Sequence, residues 1–326
     1  MKIAVDIGNG YVKAVNENGD KLHFPTIIKE KHEKALFNSN VKYQAKINGT
    51  EYYIGDIAHS KKGVRSWRND KQMNESTEKY IALCCHILAH SDENSVDLII
   101  GLPYSYYIEQ ADNPKITAGL ESKEFETTID GETKNTTINS VKLYPQGVGA
   151  YFSNILDIEG KPIKGASEII RALIIDIGYR TVDIVAFDNM NNEFVLVQEN
   201  SFSLEDCGMI NVVNRIASVL NTEVQLDQSE VERWLRTGDG KIPYDRGEFD
   251  VTRYEDEACE DLVERIFTAI NTTLQNDIKK YKNIFLTGGG AKKLFPLLKK
   301  RYTNLQLQED YIFCNAKGFL AIENAG

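Results

Sequence analysis

The stretch MKIAVDIGNGYVKAV at residues 1–15 returns, altered, as RALIIDIGYRTVDIV at residues 171–185. Asp6, Ile7, Gly8, Val12 and Val15 of the first copy fall on Asp176, Ile177, Gly178, Val182 and Val185 of the second. Each copy runs an apolar strand into a carboxylate and a glycine, turns, and leaves along a second strand. Strands this apolar are covered on both faces, as in a sheet packed between helices. Two copies of one hairpin, far apart in the chain, suggest a protein built from two similar halves. The 326 residues leave room for that, at about 100–200 residues per domain.

The rest of the text fits the same plan. Strands are expected at 2–7 and 10–16, an Asn-Gly hairpin in NENGD, and a third strand in KLHFPTI. From about 29 to 74 the sequence turns polar and mixed, which suggests a small inserted subdomain. STEKYIALCCHILAHS reads as a helix capped by Ser76, with Tyr80, Ile81, Leu83, Cys84, Ile87 and Leu88 on its apolar side. VDLIIGLP is the next buried strand. An Asp-Gly hairpin follows in EFETTIDGETKNTTINSVKLYP, and QGVGAYFSNIL opens a helix. The second half begins at a connector around 163–167. Its strands are expected at 172–176, 181–187 and 193–200, and its helices at 208–220, 227–236 and 254–280, the last starting in an acidic stretch that suits a helix N-terminus. YKNIFLTGGGAKKLFPLLKKRY gives strand, glycine turn and helix, and CNAKGFLAIENA a final short helix.

A net charge of −10 argues against a general basic field for nucleic acid or anionic membrane, so no direct nucleic-acid partner and no membrane are expected. No run approaches the roughly 20 apolar residues of a membrane span. A strand begins within three residues of the N-terminus, leaving no room for a signal peptide, and a cytoplasmic location is the expectation. The five cysteines form no C-x-x-C pair and read as buried reduced thiols. The histidines show no metal-ligand spacing. The basic helix at Lys292, Lys293, Lys299, Lys300 and Arg301 reads as a solvated face, with a filament contact or an acidic partner as the alternative.

Three glycine-bearing turns each follow an apolar strand: Asp6-Ile-Gly-Asn-Gly10, Asp176-Ile-Gly178 and Leu286-Thr-Gly-Gly-Gly290. Glycine lets the backbone approach an anion, so that successive N–H groups point at phosphate oxygens. A carboxylate beside them repels phosphate unless a divalent cation lies between. Mg²⁺ suits that place, because it takes oxygen ligands, keeps waters and bridges nucleotide phosphates. Lys13 could add a positive charge to the same phosphates. A single such turn is also compatible with a plain hairpin and a solvated Asp; three together favour the phosphate reading. Neither G-x-x-x-x-G-K-[ST] nor G-x-G-x-x-G occurs.

The set DIGNGYVKA, YPQGVGA, DIGYRTVDIV and LTGGGA, in this order, resembles the actin / sugar-kinase / heat-shock-chaperone superfamily. Within it the chain resembles the ParM and archaeal actin-like family. The resemblance implies an α/β fold of two related actin-like (ribonuclease H-like) domains with a nucleotide in the cleft between them. Domain I would span 1–163, with the insertion at about 29–74 and the C-terminal helix at about 314–326 packing back on it; domain II would span 164–313. It further implies that Asp6, Gly8, Asn9, Gly10, Tyr11 and Lys13 form the first phosphate loop, and Asp176, Gly178, Tyr179, Arg180 and Thr181 the second. Asp6 and Asp176 would hold Mg²⁺ through its waters, and Gly288, Gly289 and Gly290 would line the adenosine. Asp206 and Gly208 are candidates beside the sugar and base. Gln146 falls where actins orient the attacking water, and where ParM carries Glu; the bland alternative is a polar residue at a helix N-terminus. Arg180 reaches the phosphates or projects into solvent.

The implied function is a polymerising, Mg²⁺-dependent ATP (or GTP) hydrolase of plasmid or DNA segregation, whose partners are copies of itself and a DNA-bound adaptor. The alternative is a small-molecule kinase of the pantothenate or acetate type on the same superfold. It would need an Asp near the γ-phosphate, where GLPYSYYIEQADN and YPQGVGA offer only Gln146.

Overall fold

The computed structural model describes residues 1–32, 43–63, 75–90, 94–111, 115–190, 193–221, 228–237, 240–244 and 247–326. The chain divides into two units, one of residues 1–169 with 312–326 and one of residues 170–311.

The first unit is built on strands β1 (Lys2–Ile7), β2 (Tyr11–Asn16), β3 (Lys21–Pro25), β4 (Ile28–Glu30), β5 (Gln44–Ile47), β6 (Thr50–Ile54), β7 (Ser95–Leu102), β8 (Glu124–Ile129) and β9 (Glu132–Pro145). They form one sheet in the order β3-β2-β1-β7-β9-β8-β5-β6-β4. Strands β4, β5 and β6, from the stretch expected to form an inserted subdomain, thus extend this sheet beyond β8. Helices α1 (Asp56–Ser60), α2 (Glu75–Leu88), α3 (Tyr104–Ala111), α4 (Lys115–Leu120), α5 (Val148–Phe152) and the C-terminal α10 (Cys314–Ala325) complete the unit. Strand alternation sorts the core. Ile3, Val5 and Ile7 of β1 and Leu98 and Ile100 of β7 join the apolar cluster of α2. Ala4 and Ile99, on the opposite face, pack with Ala316, Phe319 and Leu320 of α10. Each fully buried Ile or Leu contributes about 1.5–3 kcal/mol relative to exposure. The Asp-Gly hairpin closes β8 on β9 with Asp130 at φ 51° and Gly131 at φ 84°, the paired positive angles of a two-residue primed turn.

The second unit contains β10 (Arg171–Ile177), β11 (Val182–Met190), β12 (Glu193–Leu196), β13 (Phe202–Leu204), β14 (Lys241–Tyr244), β15 (Gly247–Asp250), β16 (Asn283–Thr287) and β17 (Leu305–Leu307). Its main sheet runs β12-β11-β10-β16-β17, with β13 also on β11 and β14-β15 as a separate ribbon. Helices α6 (Met209–Leu220), α7 (Gln228–Thr237), α8 (Thr252–Leu274) and α9 (Ala291–Arg301) supply its helical layer. Leu173, Ile175 and Ile177 pack against Val213, Ile216, Leu262 and Ile266 of α6 and α8.

The repeated hairpin is visible in the pairing. β1 pairs β2 antiparallel and β7 parallel, and β10 pairs β11 antiparallel and β16 parallel. Asp6 lies opposite Lys13 and Gly101, whereas Asp176 lies opposite Asp183 and Thr287.

Several local expectations are corrected. The helix expected over 254–280 stops at Leu274, because Gln275 takes φ 48°; residues Gln275–Lys280 tighten into a 3₁₀ turn. The strand expected over 193–200 ends at Leu196 and gives way to a 3₁₀ turn at Gln198–Asn200. Ser76 lies inside α2, which begins at Glu75, and Ile87 is 37% exposed while the rest of its stripe is buried. None of the five cysteines is in a disulfide, and all are buried. No helix among the described residues is long and apolar enough to cross a membrane.

Candidate functional site

In the first unit the sheet carries Asp6 to the end of β1, where it is 3% exposed. A buried carboxylate is costly unless its oxygens find partners. Lys13 Nζ donates to Asp6 Oδ2 at 3.1 Å, and Gln146 Nε2 donates to Oδ1 at 2.5 Å. The structure therefore brings Asp6, Lys13 and Gln146 into one cluster. Gln146 is itself 8% exposed and its backbone N–H donates to Leu102 O at 2.6 Å. The turn from Gly8 through Asn9 and Gly10 to Tyr11 is closed by Gly8 N–H donating to Tyr11 O at 3.0 Å. A Cβ on Gly8 would lie 3.1 Å from Lys13 Nζ, so the lysine head sits over that glycine. Thr26, which the sequence does not single out, braces the turn: its hydroxyl donates to Gly8 O at 2.7 Å and its N–H to Gly10 O at 2.9 Å. Tyr11 stacks on His23 with ring centroids 4.5 Å apart.

In the second unit three loops converge on Asp176. Gly178 N–H donates to Thr181 O at 2.9 Å, closing the hairpin turn. Met209 N–H donates to Gly178 O at 3.2 Å and Ile210 N–H to Tyr179 O at 2.7 Å, which seats the start of α6 on that turn. Gly208 belongs there because a Cβ would meet Tyr179 O at 2.6 Å. Gly290 N–H donates to Ile177 O at 3.0 Å, joining the third turn to the strand end. Gly288 holds φ 90°, and a Cβ on it would stand 2.2 Å from Asp176 Oδ1. Only glycine serves at that position, for both backbone angle and space. Gly289 has open space where a side chain would be. Asp176, Gly178, Tyr179, Thr181, Gly208, Gly288, Gly289 and Gly290 thus share one corner of the unit.

Two further candidates, Arg180 and Asp206, are hydrogen-bonded to each other. Arg180 Nε donates to Asp206 Oδ1 at 2.8 Å. Asp206 takes φ 49° and its side chain is 73% exposed. On the basic helix, Lys293 pairs with Glu255 at 2.8 Å and Arg301 with Glu264 at 2.6 Å. Lys299 Nζ donates to Thr303 O and Leu305 O. These charges are satisfied by α8 and by their own loop.

Other polar residues enter that the sequence does not reveal. Tyr179 OH donates to the buried Glu232 at 2.7 Å. Ser203 donates to the buried Asp183 beside Asp176. Asn315 of α10 accepts from two N–H groups of the segment that follows Gln146. Partners so distant in the chain leave no periodic or motif signal.

Each unit by itself carries a buried carboxylate that ends an apolar strand beside a glycine turn, Asp6 with Lys13 next to it in the first and Asp176 in the second, and each suits a hydrated magnesium ion beside phosphate. Among the described residues no three His, Cys, Asp or Glu side chains cluster so as to hold a metal by themselves. A hard cation at either carboxylate would complete its shell with phosphate and water oxygens, as Mg²⁺ does.

The family model described as "Actin like proteins N terminal domain" matches residues 4–149. The model described as "Archaeal actin homologue MreB-like, C-terminal" matches residues 174–300. The chain belongs to the actin-like family. Among solved structures, this actin-like chain is similar to a non-polymerisable quadruple mutant of pCBH ParM, with TM-score 0.84, 25% identity and coverage of 99% of this chain and 98% of that one. It is similar to the subunit of a 15-stranded ParM filament from Clostridium botulinum, with TM-score 0.85, 25% identity and 98% of each chain covered. The archaeal actin homolog Ta0583 shares the fold, with TM-score 0.80, 19% identity and coverage of 100% and 99%. That archaeal protein has also been solved in complex with ADP. No curated protein matches the chain.

Proposed function

We propose that this actin-like chain binds a magnesium nucleoside triphosphate, ATP or GTP, hydrolyses it, and assembles into filaments. The observation that carries the reading is the Asp6 cluster: a buried carboxylate held between Lys13 and Gln146 at the mouth of a glycine turn. Asp6 and Asp176 would hold the metal ion, which would neutralise phosphate charge. The turns Gly8–Tyr11 and Gly178–Thr181 present backbone N–H groups to the phosphates, and Gly288, Gly289 and Gly290 line the nucleoside. Gln146 orients the attacking water. An amide is a poor general base, so the reaction rests on alignment and charge stabilisation and is slow.

Slow turnover suits a timer. The triphosphate state favours the lattice and the diphosphate state loosens it, a population shift driven by the γ-phosphate. Likeness to the subunit of a ParM filament at 25% identity supports self-assembly. The partners are further copies of this chain and a DNA-bound adaptor, in a cytoplasmic plasmid- or DNA-segregation system. The test is light scattering with Mg²⁺ and ATP or GTP. Scattering should rise above a critical concentration, and phosphate release should follow it. Flat scattering at tens of micromolar protein, with a metabolite becoming phosphorylated, would replace this reading with the kinase one.

A further inference from the structure

Gln146 stands on a short connection between β9 and α5, its amide on Asp6, and orienting a water demands that its backbone be fixed as well. Its upstream side is tied to the sheet, since Pro145 pairs with Leu102 and Gln146 N–H donates to Leu102 O at 2.6 Å. Its downstream side is a glycine at φ 84° that starts a five-residue helix carrying no side-chain cap of its own. Such a helix is marginal alone, and its first N–H groups need acceptors.

The acceptor comes from the far end of the sequence. Asn315 Oδ1 accepts from Gly147 N–H at 2.8 Å and from Ala150 N–H at 3.1 Å. These are the two donors that a local capping box satisfies, the cap residue's own N–H and that of the third helical residue. Asn315 is 4% exposed and sits in the first turn of α10. Its helix is held against α5 at glycine contact: a Cβ on Gly318 would lie 1.7 Å from Gly149 O. Phe319 fills the space beside it, fully buried. Farther along α10, Lys2 Nζ donates to Glu323 O at 2.7 Å and to Asn324 Oδ1 at 2.8 Å, fastening the helix to β1.

We propose that Asn315 is a positioning residue for hydrolysis: by capping α5 in trans it fixes the peptide after Gln146 and so aims the Gln146 amide. The proposal rests on the reading that Gln146 orients the attacking water. A supporting shell of this kind is what holds a reacting group in productive geometry, and a displacement of about 1 Å can cost about a hundredfold in rate.

The test compares the full-length protein with Asn315→Ala, Asn315→Asp, Gln146→Ala and the Gln146→Ala/Asn315→Ala double variant. Nucleotide affinity, turnover and amide hydrogen exchange at Gly147 and Ala150 are measured for each. Asn315→Ala should lower turnover about tenfold to a hundredfold with affinity nearly unchanged, and should speed exchange at both amides. Asn315→Asp keeps an acceptor oxygen, and a carboxylate suits a helix N-terminus, so it should recover both turnover and protection. In the Gln146→Ala background, Asn315→Ala should cost nothing further, because both act through one group. Additive losses, or an Asn315→Asp variant as slow as Asn315→Ala, would overturn the proposal and leave the hydrolase reading standing. A wild-type protein that binds nucleotide but never hydrolyses it would remove the hydrolase reading, and the role given to Asn315 with it.

Discussion

Gly101 and Phe319 form a pair whose coupling can be worked out from their geometry. Phe319 is fully buried, and its ring stacks on Tyr144 with centroids 5.8 Å apart. A Cβ built on Gly101 would stand 2.4 Å from Phe319 Cε2 and 2.8 Å from Cζ. The ring cannot slide away, because a Cβ on Gly149 would sit 2.6 Å from Cε1 on its other edge. Gly101→Ala therefore overpacks the site, at about 1–3 kcal/mol. Phe319→Ala removes a core aromatic and leaves a cavity, at about 3–5 kcal/mol. With the ring gone, the new methyl enters emptied space, and Ala also narrows the unfolded ensemble relative to Gly. Gly101→Ala should then be neutral or stabilising in the Phe319→Ala background, a coupling of about 1–3 kcal/mol. Urea unfolding followed by circular dichroism on the wild type, both single variants and the double variant measures this directly. Costs that add to within about 0.5 kcal/mol would refute the packing argument.

Two further predictions concern groups outside the site. His86 is buried with Nδ1 3.0 Å from Thr127 O, and burial, with Lys134 adding to it, holds its pKa below the ordinary value of 6.5. The unfolded chain takes up that proton first, so stability should fall as pH drops below about 6.5, by at most about 1.4 kcal/mol per pH unit. His86→Gln should flatten the slope in a pH series of urea midpoints; an unchanged slope would place the titration elsewhere. Burial pushes the thiols of Cys85 and Cys259 up to about 12, and all five cysteines are buried outside any disulfide. A thiolate-specific reagent at neutral pH should leave all five unlabelled in the folded protein and label all five in urea; rapid labelling of the folded protein would contradict this.

The sequence reveals the parts of the fold that repeat or alternate. The strands β1 and β10 are legible because their apolar runs end in the same Asp-x-Gly, and their shared register is what a duplicated hairpin requires. The β8–β9 turn is legible from Asp130-Gly131, since few dipeptides accept two positive φ angles. What stays hidden depends on partners far away in the chain. The ion pair of Arg180 with Asp206 could not be foreseen, because the loop of Asp206 is brought back by the start of α6. Thr26, Glu232 and Asn315 carry no motif, and each acquires meaning only through a hydrogen bond to a turn on another element. The end of α8 at Gln275 is likewise invisible, because the residues beyond it continue to read as helix.

The proposed magnesium-dependent nucleotide binding through Asp6 and Asp176 is measurable by calorimetric titration of ATP and GTP into the purified protein. Titrations with Mg²⁺ and with EDTA should differ sharply, with tight binding only when the metal is present. Asp6→Ala and Asp176→Ala should each abolish that metal dependence and stop turnover while leaving the circular dichroism spectrum unchanged. Binding that ignores Mg²⁺, or that survives both substitutions at full strength, would contradict the account.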